Sequence, residues 1–217
     1  ASICLDEGDR EGALRAYNEV ITELPENEWT DDAYYWLGDA LYKGGSMDNS
    51  IRIYTEALGK YPRGEFAAEM RYNLGWAYLG AGEDQKALEE FDRTIEISDD
   101  ADLVASALCG IADIFQGQGD NARAIDVYDR VLREFPNSIL ADYAQYELGS
   151  ILKRTGREDA AILAYRSLIV NFPRSGLLDR AYYQLGLLYL QKGDDRSALE
   201  QLDQVIEDFP DGLMREE

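Results

Sequence analysis

The sequence predicts an all-α protein, a solenoid of stacked antiparallel helix pairs, on three observations. The hexapeptide AYYWLG at 33–38 returns as AYYQLG at 181–186. A glycine recurs every 37 residues, at Gly8, Gly45, Gly82, Gly119, Gly156 and Gly193. Between these fixed points apolar residues fall at helical spacing, as in Leu37 and Leu41, Leu74 and Tyr78, Ile111 and Phe115, Leu148 and Leu152, Leu185 and Tyr189. A constant stride of this kind marks a repeat architecture and has to be read before anything else.

Each column of the repeat has a physical task. Gly38, Gly75, Ala112, Gly149 and Gly186 are always small, which lets a neighbouring helix approach a first helix, A. The recurring glycine seven residues later suits a left-handed position that ends helix A. Asp9, Glu83, Asp120 and Asp194 follow it and place negative charge at the amino end of a second helix, B. Helix B carries Ala13, Ser50, Ala87, Ala124, Ala161 and Ala198 against helix A. Four residues on, Tyr17, Tyr54, Phe91, Tyr128, Tyr165 and Leu202 fill the space between repeats. Pro25, Pro62, Pro136, Pro173 and Pro210 stop helix B, with Asp99 as the exception. Two helices cannot bury their own apolar faces, so repeats must stack. The expected array covers 1–217 as a partial repeat to about 29, then 30–66, 67–103, 104–140, 141–177 and 178–217.

These columns resemble the tetratricopeptide repeat family, with "YNLGWAYLGAGEDQKALEEFDRTIEI" at 72–97 as the best copy. The resemblance implies a right-handed superhelix. The usual period is about 34 residues, and here three more lie between the proline and the next helix A. Trp29, Phe66, Leu103, Leu140, Leu177 and Met214 form an added apolar column there. We expect helix A to gain a turn at its start, capped by Ser138 and Ser175. "FPNSILADYAQYELG" and "FPRSGLLDRAYYQLG" are similar to the variant of bacterial cell-envelope members, such as outer-membrane assembly lipoproteins and the periplasmic partner of Tol-Pal. That likeness favours the periplasm or envelope over the cytoplasm.

Composition narrows the function. The net charge of −22, from 43 acidic and 21 basic residues, repels a phosphate backbone and an anionic membrane surface. Nucleic acid and direct membrane insertion are therefore excluded as readings, and no apolar run approaches the roughly 20 residues that span a bilayer. The acids solvate helix faces in the plainer reading; in the sharper one they favour cationic partners. With no histidine in the sequence, Ser-His-Asp and Cys-His nucleophiles are absent, and no zinc or cofactor spacing appears. We expect no catalytic, cofactor or metal residues. "GQG" at 117–119 reads as a helix-ending turn, and "SDDAD" at 98–102 as a cap for the next helix rather than a calcium loop. Cys4 and Cys109 lie three repeats apart, too far for a disulfide, and both are expected as thiols. The sequence opens at Ala1 inside a repeat and is read as a fragment of a longer protein.

In the family, helix A lines the concave side where ligands lie. Carried over by column, the binding positions are Tyr35, Tyr72, Tyr146 and Tyr183 three before the small residue, and Asp39, Trp76 and Asp113 just after it. Tyr42, Lys153, Arg154 and Arg180 complete the set. The tyrosines are rigid amphipathic anchors or packing residues; Trp76 is an anchor if exposed, and Trp36, in another column, is expected to pack. Acids Asp32, Asp39, Glu69 and Asp113 come early and Lys153, Arg154 and Arg180 late, so a bound segment would set its basic part toward the amino-terminal half. The Lys and Asn set of members that grip a carboxyl terminus is not reproduced in any repeat. The expected function is a non-catalytic scaffold that holds a partner protein, as a peptide or helix. The alternative is a homo-oligomer that stacks through exposed solenoid ends.

Overall fold

The computed structural model describes residues 10–23 and 29–209. Eleven α-helices and no strand occur among them. They are α1 (Arg10–Thr22), α2 (Thr30–Lys43), α3 (Met47–Lys60), α4 (Ala67–Gly80), α5 (Asp84–Ile97), α6 (Ala101–Gly117), α7 (Asn121–Glu134), α8 (Ala141–Arg154), α9 (Glu158–Asn171), α10 (Leu178–Gln191) and α11 (Asp195–Asp208). Even-numbered helices are the A helices and odd-numbered ones the B helices. The chain divides into two compact units, Ala1–Gly110 and Ile111–Glu217, with the break inside α6.

In the amino-terminal unit α1 packs on α2, α2 on α3, α3 on α4 and α4 on α5. In the carboxy-terminal unit the order is α7 on α8, α8 on α9, α9 on α10 and α10 on α11. Each unit is a stack of antiparallel helix pairs, as the column analysis requires.

The turn from A to B is the same in every described repeat. Gly45, Gly82, Gly119, Gly156 and Gly193 have φ between 73° and 78°. The Gly45 amide bonds the Tyr42 carbonyl at 2.8 Å and the Ser46 amide reaches Leu41 at 2.9 Å. This pair of bonds is the Schellman closure, which satisfies the last carbonyls of helix A. Asp120 and Asp194 then cap α7 and α11 through the amides of Arg123 and Ser197, whereas Glu83 makes no such bond. Asp9 and Gly8 lie outside the described residues.

The small column receives the aromatic of its own helix B. A Cβ on Gly75 would stand 2.7 Å from the Phe91 ring, and one on Gly149 2.8 Å from Tyr165. Phe91 also abuts Gly110 of the next helix A, so it fills the space between repeats as well. Burying such a ring stabilises the fold by about 1.5–3 kcal/mol. Ser50, which replaces the column's alanine, is fully buried and donates its hydroxyl to the Gly38 carbonyl at 2.9 Å.

The extra three residues do not lengthen helix A as expected. α2, α4, α8 and α10 have 14 residues each. The insertion instead folds as a β-turn with proline at its second position. Gly64 N bonds Tyr61 O at 3.1 Å, Ser138 N bonds Phe135 O at 3.0 Å, and Ser175 N bonds Phe172 O at 3.0 Å. Proline pre-sets that position and bars a helical conformation just before it. Ser138 and Ser175 are therefore not the helix caps. Leu140 and Leu177 hold that position, while Ser175 Oγ donates to Asp142 Oδ2 at the start of α8 at 2.6 Å. Only α6, which follows Asp99 instead of proline, gains the turn and reaches 17 residues. Asp100 Oδ1 caps it, accepting from Asp102 N at 2.8 Å, so "SDDAD" is a capping segment.

Candidate functional site

On α2 of the amino-terminal unit, Asp32, Tyr35, Trp36 and Asp39 lie three or four residues apart, on one helix face. Tyr35 stacks on Phe66, the residue just before α4, ring centroids 4.7 Å apart at 15°, and meets Trp36 edge-on at 4.9 Å. Trp36 is 40% exposed. It is expected to pack; its column faces the preceding repeat, as Asn73 does at Tyr54 and Glu147 at Gln116, and the A helix of the repeat before Trp36 lies outside the described residues. Asp39 is half-buried and pairs with Lys43 at 2.8 Å. Tyr42 is half-buried.

On α4, Tyr72 and Trp76 are also half-buried. Both press on Phe91, with centroids 5.8 and 5.4 Å away, and on each other at 6.2 Å. Trp76 thus serves the core, and the reading of it as a free anchor gives way to partial burial. Burial raises the pKa of Tyr35 and Tyr72. Asp32 is also raised, by burial first and then by the charges of Asp31 and Glu65.

In the carboxy-terminal unit several expected contact residues are already engaged. Asp113 accepts the hydroxyls of Tyr128 and Tyr143, the latter at 2.9 Å. Lys153 donates to Gln184 at 2.5 Å, and Arg154, which is exposed, to Asn121 at 2.9 Å. Tyr146 tilts against Tyr165 at 5.6 Å. Arg180 and Tyr183 are half-buried. Burial lowers the pKa of Lys153 and raises those of Asp113 and Glu147.

Glu147 and Gln184 escaped the sequence reading. Glu147 accepts from Gln116 at 3.2 Å, so Gln116 with Glu147 and Lys153 with Gln184 form the same link one repeat apart. Their column, two before the small residue, holds Trp36, Asn73, Gly110, Glu147 and Gln184. Its chemical variety, beside a column that is tyrosine in every repeat but that of Cys109, was the available signal.

Three tetratricopeptide repeat models match the chain, over residues 29–100, 109–175 and 180–212. The chain belongs to the tetratricopeptide repeat family. Among solved structures it is similar to MamA, at 27% identity and a TM-score of 0.64, over 79% of this chain and 93% of MamA. A tetratricopeptide repeat protein from Parabacteroides merdae aligns at 20% identity and a TM-score of 0.69, over 94% of this chain and 75% of its own. YrrB, described as a TPR protein with an unusual peptide-binding site, aligns at 21% and 0.60, over 91% and 94%. Comparison with curated protein sequences gives no match.

The tetratricopeptide repeat fold implies a scaffold for protein–protein interaction. Among the described residues no group of three or more Cys, Asp or Glu is arranged to hold a metal ion. No described helix is long and apolar enough to cross a membrane. Cys109 is buried, and Cys4 lies outside the described residues.

Proposed function

We propose that this chain is a non-catalytic scaffold that holds a peptide or helix of a partner protein along the faces of its A helices. The observation that carries this reading is the tyrosine column. Tyr35, Tyr72, Tyr146 and Tyr183 are each half-buried, and three of them are braced by aromatic neighbours, so they offer fixed edges at low entropic cost. Asp32, Asp39 and Glu69 in the amino-terminal unit support a partner segment that carries basic residues there. Asp113 leaves that set because two tyrosine hydroxyls occupy it. The 37-residue period supports a cell-envelope setting. The likeness to YrrB supports a peptide ligand.

Affinity capture from the native lysate tests the reading. Tyr42→Ala, Tyr146→Ala and Arg180→Ala together should abolish retention of the partner while leaving the helical circular dichroism unchanged. Equal capture by the folded variant overturns the reading.

A further inference from the structure

Among the described residues the three most exposed large apolar side chains are Val170 at 75%, Ile139 at 71% and Leu163 at 67%. Leu163 and Val170 stand two turns apart on one row of α9, and Ile139 lies in the turn that enters α8. Each breaks its column. The Leu163 position carries Arg15, Arg52, Glu89, Asp126 and Glu200 in the other repeats, all exposed. The Val170 position carries Thr22, Gly59, Glu96, Arg133 and Glu207, also all exposed. The Ile139 position carries Glu65, Asp102 and Gly176. Exposure therefore belongs to these α9 columns in interior repeats too, and among the described B helices only α9 puts apolar residues there. Val170 lines a groove with Arg166, Ile169 and Tyr182, and Ile139 lines a second with Phe172, Pro173 and Arg174, which continue the chain past Val170. A lone exposed apolar residue needs no cause, whereas a cluster with a polar rim marks an interaction surface. Arg166 and Arg174 stand four residues either side of Val170. Both are exposed and neither forms an ion pair among the described residues, with Glu200 across the first groove included. Asp142 in the second groove accepts the Ser175 hydroxyl.

We propose that the exposed face of α9 docks an amphipathic helix of a partner protein. Its apolar stripe covers Leu163, Val170 and Ile139, and its flanking Asp or Glu side chains pair with Arg166 and Arg174. The site lies on a B helix, apart from the tyrosines of the A helices, and goes beyond the scaffold reading. A row of apolar residues seven apart on one helix is complemented by the same row on another. Charge complementarity selects an acidic one, because each uncommitted guanidinium offers a fork that matches a carboxylate. The net charge of −22 opposes a second copy of this chain and an anionic membrane, the other takers of an apolar face.

The test is fluorescence anisotropy of the whole chain with a fluorescein-labelled model helix of about four turns, Leu along one stripe and Glu on its flanks, at about 150 mM salt to screen distant charge. A matched peptide with Lys in place of Glu runs beside it and should bind more weakly. Leu163→Asp with Val170→Arg restores what α7 carries at these positions. That variant should keep the melting temperature and weaken the Glu peptide by about tenfold or more. Arg166→Gln with Arg174→Gln should weaken the Glu peptide about fivefold and leave the Lys peptide unmoved. Ile97→Ser, at an exposed apolar residue of α5, should change nothing.

Failure of the Glu peptide to bind, or indifference to the Leu163 and Val170 changes, overturns the assignment. Equal binding of the two peptides, or equal loss in the Ile97 variant, means general stickiness and does the same. Loss of the Glu peptide in the Tyr42, Tyr146 and Arg180 variant would put it against the A helices instead, so the scaffold reading would stand and the α9 site fall. Flotation with vesicles of phosphatidylcholine and phosphatidylglycerol, and light scattering over a concentration series, address the other occupants. Vesicle binding or self-association that is abolished by Leu163→Asp with Val170→Arg gives the face to lipid or to a second copy, and the proposal falls.

Discussion

At Gly75 the backbone of α4 passes so close to Phe91 that a methyl group has no room, whereas nothing lies within 4 Å of a Cβ built on Gly59 in α3. The two glycines therefore predict opposite outcomes for the same change. Gly75→Ala should destabilise the fold by about 1–3 kcal/mol, since overpacking the ring outweighs the helix-propensity gain. Gly59→Ala should stabilise it by up to about 1 kcal/mol. Urea denaturation of the two variants checks both signs. Glu90 offers a second contrast at this scale. Its side chain is 9% exposed and takes Arg71 at 2.7 Å and Arg93 at 2.6 Å. Glu90→Ala strands Arg71 and should cost about 3 kcal/mol, while adding Arg71→Met should restore most of the loss. A double-mutant cycle measures the coupling, and simple additivity would refute it.

The helices are cut to length by their flanks. Where a proline follows helix B, the next residues close a β-turn and helix A starts late. Where Asp99 stands instead, the backbone is free to turn helical and Asp100 caps the longer α6. Asp100→Ala should therefore destabilise the amino-terminal half of α6 by about 1 kcal/mol, seen as faster amide exchange at Asp102 and Leu103. Helix identity, order and the A-to-B turn were all legible in the sequence, because each rests on a local demand such as a positive φ at Gly45 or a missing amide at Pro136. The fate of the three extra residues was not. An apolar column at Leu140 and Leu177 suits a lengthened helix and a tight turn equally well, and only the hydrogen bonds of Ser138 and Ser175 choose between them.

Across the whole molecule the acids set the pH response. Burial raises the pKa of Asp32, Asp113, Asp129 and Glu147, so the folded state holds their protons more tightly than the unfolded chain does. Stability from these groups is fully present below their ordinary values and is lost as pH rises through the raised ones. Hydrogen bonds lower Glu56, Asp120, Glu134 and Asp194, whose contributions exist above the ordinary values and vanish as pH falls through the lowered ones. Relief of self-repulsion at −22 adds to the first trend. The melting temperature should rise from pH 7 to about 5 and fall again at lower pH. Asp113→Asn should flatten the rise, which thermal scans across buffers would show.

The repeat, its stride of 37 residues and the identity of the core aromatics are written in the order of residues along the chain. Those follow from demands that each helix pair imposes on its own residues. How far each side chain is covered depends on the packing between repeats. Packing leaves Trp36 40% exposed, presses Trp76 on Phe91, commits Asp113 to two tyrosines, and ties Lys153 to Gln184 31 residues away. A residue's availability depends on what the next repeat brings against it, and that neighbour is set by stacking rather than by local sequence.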